Sequence, residues 1–141
     1  NYARLLQMVQ DDPRCDAAHV SLYPCGASDR DGTSHYYENN TSSVFSDDGT
    51  ECAEFHRLDD VLRGRRVTFI KMDIEGAEPL ALMGAEEIIR TQKPKLAICT
   101  YHRAEQLWEI PFLIRAMNDG YHFYFRHHHP EEMETVCYAV P

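Results

Sequence analysis

Paired cysteines, basic clusters and long apolar runs are all missing from this chain of 141 residues, and each absence removes a class of protein. The five cysteines, Cys15, Cys25, Cys52, Cys99 and Cys137, are odd in number, widely spaced and without a C-x-x-C pair. That pattern fits neither a disulfide framework nor a zinc site, and it predicts a reducing, cytoplasmic location. The 14 Lys and Arg are outnumbered by 23 Asp and Glu, for a net charge of −9, and lie singly or in pairs such as Arg65-Arg66. A nucleic-acid surface needs clustered cations that displace counterions from phosphates, so no such partner is expected. The most apolar stretch, Leu107 to Met117, is interrupted by Glu109, Pro111 and Arg115. It falls short of the roughly 20 apolar residues of a spanning helix, so no membrane segment is expected. No secretory signal is visible. The triplets Asn39-Asn40-Thr41 and Asn40-Thr41-Ser42 are therefore read as chance matches to a glycosylation pattern.

A hydrophobic content of 43% and a charged content of 26% are those of an ordinary globular domain. A chain of this length forms one domain, here residues 1–141, and buries roughly two thirds of the surface its unfolded form exposes. Leu5, Leu6 and Val9 predict a short helix from Tyr2 to Val9, ended by Asp11-Asp12-Pro13. The chain opens on Asn1 in what already reads as a helix interior, so it is expected to begin partway through a larger unit. His19–Tyr23 alternates as a half-buried strand ahead of a turn-rich segment from Pro24 to Gly32. Extended pieces are expected near His35–Tyr37 and Cys52–His56, with a polar loop between them, then a helical turn at Leu58–Leu62 capped by Asp59.

The second half is more strongly patterned. Val67–Asp73 reads as a strand buried in a parallel sheet, followed by a helix from Pro79 to Thr91 and a second such strand at Lys95–Tyr101. A further helix carries Leu107, Ile110, Ile114 and Met117 on one stripe and ends before Asn118-Asp119-Gly120, with Gly120 as its left-handed cap. Tyr121–Arg126 and Thr135–Val140 are strands whose short connection makes them an antiparallel pair. Trp108 and the aromatic run from Tyr121 to Phe125 are read as core. His127-His128-His129 is read as a solvated loop or substrate rim, because consecutive strand residues alternate faces and cannot readily share a metal. This order of elements predicts an α/β fold in which ligands bind beyond the carboxyl ends of the parallel strands.

The residues just past those strands are Asp29, Asp73 with Glu75, and His102. Asp73 and Glu75 are two apart and share a side while the chain stays extended, and Gly76 allows a sharp turn or a close approach. Two carboxylates at a strand mouth can take a proton from a hydroxyl, hold a divalent cation, or stabilise a bound cation such as a sulfonium. Alternatively, Glu75 and Glu78 merely favour the positive end of the following helix. His102 is suited to proton transfer near neutral pH, and is equally readable as a hydrogen-bonded structural residue.

The segments Lys71-Met72-Asp73-Ile74-Glu75-Gly76-Ala77-Glu78, Leu82-Met83-Gly84-Ala85 and Lys93-Pro94-Lys95-Leu96 together resemble the signature of FkbM-type methyltransferases. Tyr101-His102-Arg103, Leu107-Trp108-Glu109-Ile110-Pro111, Arg126-His127-His128 and Glu134-Thr135-Val136-Cys137-Tyr138-Ala139 carry the similarity to the C-terminus, and Asn1-Tyr2 and Ala27–Gly32 carry it to the start. The resemblance implies a Rossmann-like methyltransferase sheet, mostly parallel with a C-terminal antiparallel hairpin. It also implies S-adenosylmethionine as cofactor and, as acceptor, a hydroxyl on a small molecule or sugar. The family's glycine-rich loop and its ribose-binding acidic residue have no counterpart here, since the seven glycines include no G-x-G. The chain thus resembles the C-terminal two thirds of such an enzyme, with the N-terminal strands missing.

By that resemblance Ala27, Ser28 and Asp29 bind the cofactor's adenine. Asp73 then lies near both cofactor and acceptor, and Asp73, Glu75 and His102 are the catalytic candidates. A turn-stabilising Asp29 is the alternative at that position. No metal site is expected. Two competing functions remain at this level: a non-catalytic remnant or interaction module of the same fold, and a magnesium-dependent α/β enzyme using Asp73 and Glu75. A strand left without its neighbour near Val67 also predicts self-association, possible as a homodimer.

Overall fold

The computed structural model describes residues 2–16, 19–38, 43–45, 51–130 and 133–141. Helix α1 (Tyr2–Asp11) precedes four short strands, β1 (Gly26–Ala27), β2 (Gly32–Glu38), β3 (Ser43–Phe45) and β4 (Glu51–His56), and then the helical turn α2 (Leu58–Val61). Strand β5 (Phe69–Met72), helices α3 (Glu78–Met83) and α4 (Glu86–Gln92), strand β6 (Lys95–Cys99), helix α5 (Gln106–Met117), and strands β7 (His122–His127) and β8 (Thr135–Val140) complete the order. The result is a mixed α/β fold with two sheets, ordered β1-β4-β2-β3 and β5-β6-β8-β7. Among the described residues no helix is long and apolar enough to cross a membrane. The Asn39–Ser42 triplets lie outside the described residues.

The expectation of a mostly parallel sheet is corrected. Among the described residues only β1 with β4 and β5 with β6 run parallel, whereas β2 with β3, β2 with β4, β6 with β8 and β7 with β8 are antiparallel. The predicted antiparallel C-terminal hairpin is present, with Tyr124 opposite Tyr138. His19–Tyr23 forms no strand; the first strand is the two-residue β1, inside the segment expected to be a loop, because β4 supplies its partner at Gly26↔Phe55.

Strand β6 is apolar after Lys95 because Leu96–Cys99 are buried on both faces. Leu96 and Ile98 join Ile70, Met72, Leu82, Ile89, Ile110, Ile114 and Tyr121 in the main core, while Ala97, Cys99 and Val136 form a second cluster. Strand β5 instead alternates at the sheet's edge, with Ile70 and Met72 buried and Phe69 and Lys71 exposed. The core reading of Trp108, Tyr124 and Phe125 is corrected too, since all three are exposed. Helix α5 buries Gln106, Ile110 and Ile114, which turns Trp108 and Leu107 outward, and a sheet-edge strand leaves Tyr124 and Phe125 in solvent.

Three local expectations fail, the first two because a long-range partner outweighs local pattern. The single helix over Pro79–Thr91 is broken at Gly84-Ala85, where Gly84 packs onto the Ser28 backbone and its carbonyl accepts the Asp59 N–H at 2.9 Å. Asp59 lies inside α2 rather than capping it, and its carboxylate takes the Glu87 and Ile88 N–H groups of α4 at 3.0 Å each. Gly120 is not left-handed; Asn118 ends α5 in extended backbone and its side-chain oxygen accepts the Gly120 N–H at 3.0 Å. Because Asp59 is buried and serves two orphan donors, Asp59→Ala is expected to lower unfolding free energy by about 2–3 kcal/mol. A urea midpoint unchanged from the wild type would refute that role for the carboxylate.

Candidate functional site

Strands β5 and β6 are parallel, so their carboxyl ends share one edge of the sheet, and the chain leaving each end supplies the polar groups there. After Met72 the backbone turns through two left-handed residues, Glu75 at φ 57° and Gly76 at φ 93°. Glycine adopts this freely, while a non-glycine residue there is uncommon. The turn closes on itself when the Ile74 N–H donates to Glu78 Oε1 at 2.9 Å, which aims the first side chain of α3 back at the sheet edge. Asp73 and Glu75 do not meet by strand alternation, since β5 has already ended; the turn brings both to His102.

His102 Nε2 lies 3.5 Å from Asp73 Oδ1 and 3.7 Å from Glu75 Oε2, while Nδ1 lies 3.1 Å from Glu78 Oε1. The imidazole is 10% exposed and its face packs on Tyr101, with ring centroids 4.2 Å apart. Asp73 accepts from the Tyr101 hydroxyl and from the Lys71 ammonium, each at 2.9 Å. Partial burial raises the Asp73 carboxyl, but these two hydrogen bonds and the Lys71 charge outweigh it and hold the group below the usual carboxylate range. Burial together with Asp73 pushes the Tyr101 hydroxyl well up, so it stays a donor. Burial and the Asp73 charge likewise push the Cys99 thiol to about 12, which makes it inert as a nucleophile.

Sequence reasoning thus named three members of this cluster, Asp73, Glu75 and His102, and missed Glu78, Tyr101, Lys71 and Gln106 as partners. Glu78 is fully buried, with Oε2 accepting from Gln106 Nε2 at 2.8 Å, and it was legible only as a helix-start acid. The one signal for Gln106 was its place four residues before Ile110, on the buried stripe of α5.

Ala27 and Ser28 sit elsewhere on the same side of the molecule, lining a cleft of about 330 Å³ with Arg30, Asp31, Phe55 and Leu80. Ala77, between Gly76 and Glu78, lines it too, so the cleft adjoins the turn that carries the carboxylates. Asp29 does not line it. Its carboxylate accepts from Ser28 Oγ at 3.1 Å and Arg30 Nε at 3.2 Å, and these bonds outweigh desolvation to hold it below the usual range. His127 and His128 pair separately, with Thr135 Oγ1 at 2.8 Å and the Tyr138 hydroxyl at 2.9 Å.

No curated protein sequence matches the chain. A crystal structure of methyltransferase FkbM from Methylobacillus flagellatus KT is similar to it, at 29% identity and a TM-score of 0.74, over 98% of this chain and 32% of that one. This chain therefore spans about a third of that protein's length. Residues 11–131 match the methyltransferase FkbM domain, and the chain belongs to that family.

Proposed function

We propose that the chain forms the acceptor side and part of the cofactor side of an S-adenosylmethionine-dependent O-methyltransferase, acting on a hydroxyl of a small molecule or sugar. The observation that carries this is His102 Nε2 set between the carboxylates of Asp73 and Glu75 at the carboxyl edge of β5 and β6. Ligands in open α/β sheets bind at that edge. The order β5-β6-β8-β7, with its antiparallel last hairpin, supports a place within a Rossmann-like methyltransferase sheet.

The residues fit the cofactor. The cleft's apolar walls from Ala27, Phe55 and Leu80 suit a flat heteroaromatic ring, and Ser28 and Asp31 offer polar groups at its rim. When bound, S-adenosylmethionine supplies a methyl group on a sulfonium. Asp73 and Glu75 add negative charge beside that cation, but stabilising the ground state alone does not speed transfer, so their larger role is positioning. A hydroxyl oxygen fits within hydrogen-bond reach of both Nε2 and Asp73 Oδ1, because the two atoms are 3.5 Å apart. Nε2 is placed to take the proton that an acceptor hydroxyl would give up when its oxygen receives that methyl group. The carboxylates then face the imidazolium that forms.

All five cysteines are free thiols, which supports a reducing, cytoplasmic setting. The test is a calorimetric titration of S-adenosylhomocysteine, the product, into the 141-residue chain with chelator present. Saturable micromolar binding is expected. A folded sample that binds none would refute an assembled cofactor site in this chain.

A further inference from the structure

We infer that Glu78 is a positioning residue for His102: its buried carboxylate holds the imidazole in the Nδ1–H tautomer, which leaves Nε2 as the proton-accepting atom facing Asp73 and Glu75. This deepens the reading of His102 as the group that receives the acceptor's proton, and rests on it.

Glu78 is fully buried and its two oxygens are fixed from opposite sides, Oε1 by the Ile74 N–H at 2.9 Å and Oε2 by Gln106 Nε2 at 2.8 Å. Those donors come from the turn after β5 and from the start of α5, so the carboxylate is immobilised before His102 is considered. His102 Nδ1 is buried and lies 3.1 Å from Oε1, yet the ring N–H does not point at that oxygen and Nδ1 has no other acceptor among the described residues. Such contacts in unliganded sites are commonly misaligned and tighten on binding. A bare Nδ1 would hold its partial negative charge 3.1 Å from a carboxylate, so the proton belongs on Nδ1. Nε2 is then the free nitrogen, and it is the atom that lies near both Asp73 and Glu75.

The alternative use of this cluster is a cation. Ligand atoms of Asp73, Glu78 and His102 lie within 4.8 Å of one another. However, Asp73 already carries the Lys71 ammonium, and each Glu78 oxygen already accepts an N–H, so the donors are committed to protein partners.

The test is the histidine ring 15N spectrum of the 141-residue chain without cofactor, with the His102 signals assigned by their loss in His102→Gln. Free imidazole side chains favour the Nε2–H tautomer. Here the neutral ring is expected to be Nδ1–H by roughly three- to tenfold, from the carboxylate charge 3.1 Å from that nitrogen. Glu78→Gln should shift that ratio back by a comparable factor while S-adenosylhomocysteine affinity changes by less than about threefold. That variant has a route to fold, because Gln106 Oε1 is buried without a partner among the described residues and can turn to accept from the new amide. A dominant Nε2–H tautomer in the wild type overturns the inference, and so does a ratio that Glu78→Gln leaves unchanged. Displacement of the Nδ1 proton by added zinc or magnesium also overturns it. The wild-type spectrum needs neither cofactor binding nor turnover, so it separates this inference from the methyltransferase reading.

Discussion

Gly84→Ala is expected to unfold the chain or to cost about 3 kcal/mol or more of stability. A Cβ at that position would stand 1.9 Å from the Ser28 carbonyl oxygen, 2.9 Å from its carbon and 3.4 Å from the Arg57 Cα. All three are backbone atoms, so no side-chain rotation relieves the overlap. The junction between α3 and α4 would have to move away from the β1–β2 connection by more than an ångström. That movement pulls Leu82 and Ala85, both fully buried, out of register with the core, and strains the Asp59 N–H bond to the Gly84 carbonyl. For a domain whose net stability is of order 5–15 kcal/mol the loss is a large share. The readout is a thermal midpoint lower by roughly 10 °C or more, or no cooperative transition at all. Gly32→Ala is the control, because a Cβ there meets nothing within 4 Å, and its stability should stay within about 1 kcal/mol of the wild type. Equal melting of Gly84→Ala and the wild type would mean that the Ser28 contact does not hold the cleft wall in place.

The Gly84 contact also shows where sequence reading stops. Hydrophobic pattern identifies an element and its buried face, and it located β2, β4, β5, β6, α5 and the terminal hairpin to within a few residues. It does not report a partner far along the chain. Gly84 reads as a helix residue until Ser28 is beside it, and Asp59 reads as a cap for its own turn until α4 is beside it. The site divides the same way. Asp73 and Glu75 were visible as a pair after a strand, and His102 as the residue after the next one. Glu78 was visible only as a helix-start acid, because its role depends on Gln106, 28 residues on, and on the His102 ring. Tyr101 was hidden because its reach to Asp73, 28 residues away, depends on the pairing of β5 with β6, and Lys71 because it read only as an exposed strand residue two before Asp73.

In a methyltransferase containing this domain, Asp73→Asn is expected to lower the turnover rate by about 10²–10⁴-fold while the fold survives. The substitution keeps an oxygen that can accept from Tyr101 but puts an amide where the Lys71 ammonium now has a carboxylate. It removes the charge nearest His102 Nε2, so the imidazolium that forms as the acceptor loses its proton is less stabilised. The loss should fall on the rate and on affinity for the cationic cofactor, while affinity for S-adenosylhomocysteine, whose sulfur is uncharged, should hold because the cleft lined by Ala27 and Ser28 is untouched. Stability at neutral pH should change little, since Asp73 and Lys71 are partly exposed and such pairs contribute roughly 0–1 kcal/mol. The pH dependence supplies a separate check. A carboxyl held below its ordinary value stabilises the fold above the unfolded value near 4, and that contribution disappears as pH falls through the lower folded value. The wild type should therefore lose slightly more stability than Asp73→Asn on acidification below about pH 4. Release of S-adenosylhomocysteine at the wild-type rate by Asp73→Asn would remove Asp73 from the chemistry and leave it a structural partner of Lys71 and Tyr101.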